Sequence, residues 1–250
     1  ESPPFTLDTR LSGANPSLAA LIVAAESPPF TLDTRTGPPF RELARPDTGG
    51  AGGKVRFSPD GLRLAKADGS RAILWNLQSL KPGALFSGHS AEVASVEFSP
   101  LGDQLLTGSA DGTLRWWDTA TRAELGRVAP GGAGAVLAVY SGDGARTLAS
   151  RGTNVWFYQT SGMTLLRQLP DARGTVTSVA LSGDGQRALA GTSERAVVLW
   201  DTSTGVVLQR FTGHTHLITA AAFLPGGTNT FTASLDGTLR FWDMATGQEL

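Results

Sequence analysis

The chain has 250 residues, 40% of them hydrophobic, with 21 basic against 22 acidic side chains and a formal net charge of −1. That balance, with no basic stripe, argues against a phosphate-neutralising surface, so neither nucleic acid nor an anionic membrane is an expected partner. Cysteine is absent, which removes disulfides, thiolate nucleophiles and cysteine metal sites, and no apolar run approaches the roughly 18–20 residues that cross a bilayer, so membrane insertion is not expected.

In chain order, the first residue is Glu1, with no charged-then-apolar leader ahead of it. The chain is therefore expected to be cut or processed from a longer one, with the cytoplasm as the default compartment. Residues 1–10 recur letter for letter at 26–35, which a duplication or a cloning artefact would both explain. Leu11-Ser12-Gly13 reads as a turn, residues 18–24 and 30–33 as strands, and Leu32-Asp33 closes the second of these. Asp47-Thr48-Gly49 copies the aspartic-protease triplet but sits in a Gly-rich connector. Residues 49–54 imitate a phosphate loop, but Val55 follows Lys54 where Ser or Thr is needed, and a strand comes next. Both read as linker.

The unit at 93–128 is the clearest. Residues 93–98 alternate as a strand, and Ser99-Pro100-Leu101-Gly102 supplies a turn. Residues 104–109 form a second strand, Ala110-Asp111-Gly112 a tight turn, 113–118 a third strand and 123–128 a fourth. Four short antiparallel strands of this kind make one propeller blade. Trp75-Asn76, Trp117-Asp118, Tyr158-Gln159, Trp200-Asp201 and Trp242-Asp243 follow one another at steps of 41 to 42 residues, with Leu32-Asp33 a faded first member. A repeat of this period means units that cannot bury their own faces and must stack on neighbours. The expected architecture is an all-β propeller of four-stranded antiparallel blades, one domain over 1–250. Its blades are 5–47 (degenerate), 50–86, 92–128, 133–169, 174–211 and 216–250. The last stops inside its fourth strand, so the ring is six-bladed or part of a seven-bladed one.

These residues resemble the WD-repeat β-propeller family, well over 50–250 and weakly over 5–47. Gly88-His89 precedes Trp117, and Gly213-His214 precedes Trp242, by the same interval. Asp111 and Asp236 take equivalent places between them, and Ser109 and Ser234 each stand two residues before their Asp. The resemblance implies two buried hydrogen-bonded chains, His89–Ser109–Asp111–Trp117 and His214–Ser234–Asp236–Trp242. Elsewhere the pattern lapses: Asp68 and Trp75 have no His, the fourth repeat has Phe157-Tyr158-Gln159 with a short turn, and the fifth has Thr192, Glu194 and Asp171-Ala172. Apolar packing is expected to hold those units.

No enzyme is expected. There is no G-x-S-x-G elbow, Asp111 and Asp118 are accounted for by turns and strand ends, and His214-x-His216 lies in a loop rather than on one strand face. No cofactor or metal is expected either. Family likeness implies a non-catalytic scaffold whose partner is a protein or another domain of a longer parent chain. The clean Ser-Pro-Asp-Gly turns resemble bacterial members. Contact positions are expected on the face built from inter-blade loops, at Glu92, Arg173, His216 and Leu217. The rival is a periplasmic or secreted six-bladed propeller acting as an enzyme or glycan binder, since such propellers use similar turns.

Overall fold

The computed structural model describes residues 55–79 and 81–250. The degenerate repeat at 5–47, both copies of the decapeptide, Asp47-Thr48-Gly49 and residues 49–54 lie outside the described residues. The rest is all-β, in five antiparallel sheets. The first holds β1 (Val55–Phe57), β2 (Arg63–Asp68), β3 (Arg71–Asn76) and β4 (Lys81–Ser87). The second holds β5 (Val93–Phe98), β6 (Gln104–Ser109), β7 (Leu114–Asp118) and β8 (Glu124–Val128). The third holds β9 (Val136–Tyr140), β10 (Arg146–Arg151), β11 (Asn154–Gln159) and β12 (Thr164–Leu169). The fourth holds β13 (Val176–Leu181), β14 (Arg187–Thr192), β15 (Ala196–Asp201) and β16 (Val207–Thr212). The fifth has only β17 (Ile218–Phe223), β18 (Asn229–Ser234) and β19 (Leu239–Asp243), with a lone bridge from Trp242 to Glu249 beyond them.

Strand residues alternate between two cores, because side chains on a strand point to opposite faces. Leu105 and Trp117 join Phe86, Leu74 and Val96 between the first and second sheets. Their neighbours Leu106 and Trp116 join Val136, Tyr140 and Trp156 between the second and third. Leu148, Phe157 and Trp200 fill the third gap, and Leu189, Phe211, Ile218 and Trp242 the fourth. A strand buried on both faces reads as a continuous apolar run, as in Val-Trp-Phe-Tyr of β11.

The first strands gather together: β1 contacts β5, β5 contacts β9, β9 contacts β13 and β13 contacts β17. Among the described residues no comparable contact joins any two fourth strands, and β8 and β12 are largely exposed. The sheets therefore radiate from a shared axis as propeller blades do.

The Trp-Asp pairs sit where this geometry bends. A register shift falls at Trp75, Trp117, Tyr158 and Trp200, where the third strand meets the fourth, and such bulges add twist. The acid after the aromatic then closes the next turn. Asp118 Oδ1 accepts the backbone N–H groups of Ala120 (2.9 Å) and Thr121 (2.6 Å). Asp243 does the same for Ala245 and Thr246. Asn76 accepts from Gln78 and Ser79, which is why an amide can replace the acid there. The Ser203 hydroxyl and Thr204 N–H hold the Asp201 carboxyl down to about 2. These carboxylates serve the backbone.

Candidate functional site

The two Gly-His units carry a one-way chain of hydrogen bonds. Trp117 Nε1 donates to Thr107 Oγ1 at 2.8 Å, Thr107 Oγ1 lies 2.7 Å from His89 Nε2, and His89 Nδ1 lies 2.9 Å from Asp111 Oδ2. The indole can only donate, so the threonine hydroxyl accepts from it and has its own proton for Nε2. Imidazole must then carry its proton on Nδ1, toward the carboxylate. The same chain runs from Trp242 through Thr232 and His214 to Asp236, at 2.9, 2.7 and 2.8 Å.

The hydroxyl in each chain differs from the one expected. Ser109 stands outside it, donating to Ala91 O at 3.0 Å and accepting from Asp111 N–H; Ser234 does likewise with His216 O and Asp236 N–H. Positions 107 and 109 share a strand face, but only the Thr107 hydroxyl lies within hydrogen-bond distance of both rings. The signal was present: Thr107 and Thr232 take equivalent places in both units, where the other sheets have Lys66, Ala149 and Ala190. With Ala190 in that place, Trp200 Nε1 turns to Pro170 O at 2.8 Å, so this blade also satisfies its indole. His214 has both ring nitrogens engaged, which leaves it unable to share a metal with His216.

Burial opposes the charge on Asp111, but donors from the Thr113 hydroxyl and N–H, Ser90 N–H and His89 outweigh it and hold the carboxyl well below its ordinary range. Burial likewise pushes the His89 imidazole below its ordinary value near 6.5, against the pull of Asp111. The sign follows. As pH falls through about 6.5 the unfolded imidazole takes a proton before the folded one, so stability declines from there down to the folded midpoint. A second decline comes below about 4, where unfolded aspartate protonates first. An NMR titration should give His89 a midpoint below 6.5; one above it would put protons on both nitrogens and break the one-way chain.

At one end of the sheets, hydrogen bonds tie the loops entering first strands to the turns between second and third strands. Ala110 N–H donates to Glu92 O, Val176 N–H to Gly152 O, Ser193 N–H to Thr175 O and Leu235 N–H to Leu217 O. All four expected contact positions are on this face. Glu92 is exposed before β5. The Arg173 side chain is 69% exposed before β13 and pairs with Asp171 at 3.0 Å. His216 is exposed before β17, its Nδ1 accepting from half-buried Leu217 N–H. No hydrogen bond or ion pair joins Glu92, Arg173 and His216 to one another among the described residues.

Sequence reasoning missed Arg195. Each turn between second and third strands has one residue with positive φ, and it is glycine in four sheets: Gly69 (58°), Gly112 (85°), Gly152 (62°) and Gly237 (81°). In the fourth sheet it is Arg195, at 64°, exposed beside exposed Glu194. A left-handed conformation costs an ordinary residue about 1 kcal/mol. Asp171 (62°) and Arg173 (51°) share that conformation on the same sheet. Glu194-Arg195 standing where other turns end in glycine was the available signal.

Residues 80–118, 163–201 and 205–243 match the family described as "WD domain, G-beta repeat". Each match runs from the fourth strand of one sheet through the third strand of the next and ends on the acid after Trp117, Trp200 or Trp242. The chain is 27% identical over 181 residues to Pre-mRNA-processing factor 19 of Oryza sativa subsp. japonica, covering 70% of this chain and 34% of that protein. It is 32% identical over 186 residues to Pre-mRNA-processing factor 19 homolog 2 of Arabidopsis thaliana, covering 69% and 34%. It is 28% identical over 193 residues to Transcription initiation factor TFIID subunit 5 of Caenorhabditis elegans, covering 74% and 29%. The chain thus spans about a third of the length of these relatives. All three are eukaryotic and lend no support to the bacterial character read from the turns. Sequence match and strand geometry coincide: this chain carries WD repeats.

Proposed function

We propose that the chain is a non-catalytic scaffold that presents the loop face of its blades to a protein, or to another domain of a longer parent chain. Glu92, Arg173, His216, Leu217 and Arg195 supply contacts. The observation that carries this reading is Arg195. A charged, exposed side chain occupies a backbone conformation that four sister turns give to glycine, and it shares both this face and that conformation with Asp171 and Arg173; left-handed charged residues gathered on one face support a role outside folding. Rigid four-stranded sheets hold that face in place, and a few clustered residues would supply most of the affinity. The relatives support it only by name, as a pre-mRNA-processing factor and as a subunit of a transcription initiation factor.

The test is affinity capture with this chain, followed by titration of the purified captured protein. Arg195→Gly, which copies the other four turns, should leave the melting temperature within about 3 °C of the parent. With Arg173→Ala added, it should weaken binding by about tenfold or more. Undiminished affinity in the double variant would overturn the assignment of this face.

A further inference from the structure

The opposite end of the sheets repeats a different device. The first residue of the second strand is Arg63, Gln104, Arg146, Arg187 and Asn229 in the five sheets. Arg63 crosses to the second sheet. Its Nη2 donates to Gly102 O at 3.0 Å, its Nη1 to Thr119 Oγ1 at 3.3 Å, and its guanidinium carbon stands 5.6 Å from the Phe98 ring centre. Arg187 crosses to Gly227 O of the fifth sheet at 3.4 Å, whereas Arg146 lays only its aliphatic stem beside Gly185 of the fourth and turns Nη1 back to Ala145 O at 3.2 Å. Arg63 thus pins the first sheet to the second through a planar cation laid on the next turn, and Arg187 makes a single long bond of the same kind.

Gln104 breaks the series. Its side chain reaches the third sheet only at the Tyr140 hydroxyl, which donates to Oε1 at a long 3.4 Å, and it bonds none of the turn groups there. The receiving groups are nevertheless all present on the third sheet. Gly144 stands for Gly102, Thr160 for Thr119 and Tyr140 for Phe98. Gly144 O accepts no hydrogen bond from any described residue. Between the two sheets lies a cavity of about 340 Å³ lined by Gln104, Tyr140, Asp143, Gly144 and Thr160. Tyr140 is 8% exposed, its hydroxyl turned toward Gln104 across this gap.

We propose that this groove receives an arginine side chain of a partner protein, in the place that Arg63 fills from within the chain one groove earlier. The guanidinium donates to Gly144 O and Thr160 Oγ1 and lies on the face of Tyr140. The Asp143 carboxylate, which makes no ion pair among the described residues though Arg146 stands near enough to favour its charge, balances the guanidinium. Lysine fits less well, because an ammonium offers neither the planar face nor the fork. The proposal rests on the scaffold reading only in taking a protein as the source of the arginine, and its residues are remote from the loop face.

The probes are N-acetyl-L-argininamide, its neutral citrulline isostere and free L-arginine, followed by the Tyr140 ring resonances in NMR titrations of the whole chain. The argininamide should shift them saturably, and the citrulline compound should bind about tenfold more weakly or worse. Gln104→Arg should fill the cavity, abolish the shifts and raise the melting temperature. Asp143→Asn, an exposed-turn change that keeps the shape, should weaken binding severalfold should the first variant misfold. Arg195→Gly should leave argininamide binding unchanged, which separates failure here from failure of the loop face. Equal binding of the citrulline compound, or binding that survives both groove variants, would overturn the site. Tighter binding of free arginine than of the capped form would overturn a protein source.

Discussion

Replacing Asp111 with alanine is expected to lower stability by roughly 2–4 kcal/mol, because a buried charged acceptor with several donors is removed at once. Its side chain is 6% exposed and accepts from His89 Nδ1–H, Ser90 N–H, Thr113 N–H and the Thr113 hydroxyl. After the substitution His89 Nδ1–H is left with only Thr113 Oγ1, at 3.1 Å. An underbonded N–H in a buried site carries its full desolvation cost. For a chain of this size the loss corresponds to about 5–12 °C in melting temperature. Asp184→Ala is the control. Asp184 also stabilises a turn, accepting from the Ser182 hydroxyl and Gln186 N–H, but touches no imidazole. Equal losses in the two variants would mean that Asp111 acts as an ordinary turn residue and that the chain to Trp117 contributes nothing measurable.

The comparison of these aspartates also shows what the sequence could and could not disclose. Blade strands were legible because their punctuation is chemical: Ser-Pro-Asp-Gly and Asp-Gly turns fix the ends, and the aromatic-acid pairs fix the period. Strand β5 and strand β6 fall at 93–98 and 104–109, as the turns required. The relay hydroxyl was not legible in the same way. Thr107 and Ser109 point to one face of one strand and are both buried, and only their place along it relative to the two rings distinguishes them. Arg195 was hidden for another reason: whether a turn residue is strained depends on φ, and φ follows from the loop and the strands it joins. The groove beside Gln104 required knowing which sheet lies next to which. Arg63 and Arg187 take equivalent places in their repeats, yet nothing linear says that their targets are Gly102 and Gly227 of the following sheet.

A different inter-sheet contact, backbone against backbone, gives the last prediction, Gly108→Ala. Gly108 lies in β6 without positive φ, so its need for glycine is purely steric. A methyl group there would be driven into the backbone carbonyl of Val136, with its carbon 2.9 Å away and Ser95 Oγ 2.7 Å away. That carbonyl accepts the Ser95 hydroxyl at 3.1 Å, a bond tying the second sheet to the third. Both the bond and the spacing of β6 from β9 would have to yield, since a backbone carbonyl in a paired strand cannot rotate aside. Overpacking of this kind costs about 1–3 kcal/mol, only partly offset by the lower entropy of alanine in the unfolded chain. Gly191→Ala makes the informative comparison. Its added methyl meets Ile218 Cγ2 and Ser178 Oγ, each at 2.5 Å, and side-chain atoms can change rotamer where a carbonyl cannot. Urea denaturation should therefore rank Gly108→Ala as the more damaging, with a lowered midpoint and an unchanged slope. A milder effect at Gly108 than at Gly191 would mean that the second and third sheets are held farther apart than the bond from Ser95 to Val136 allows.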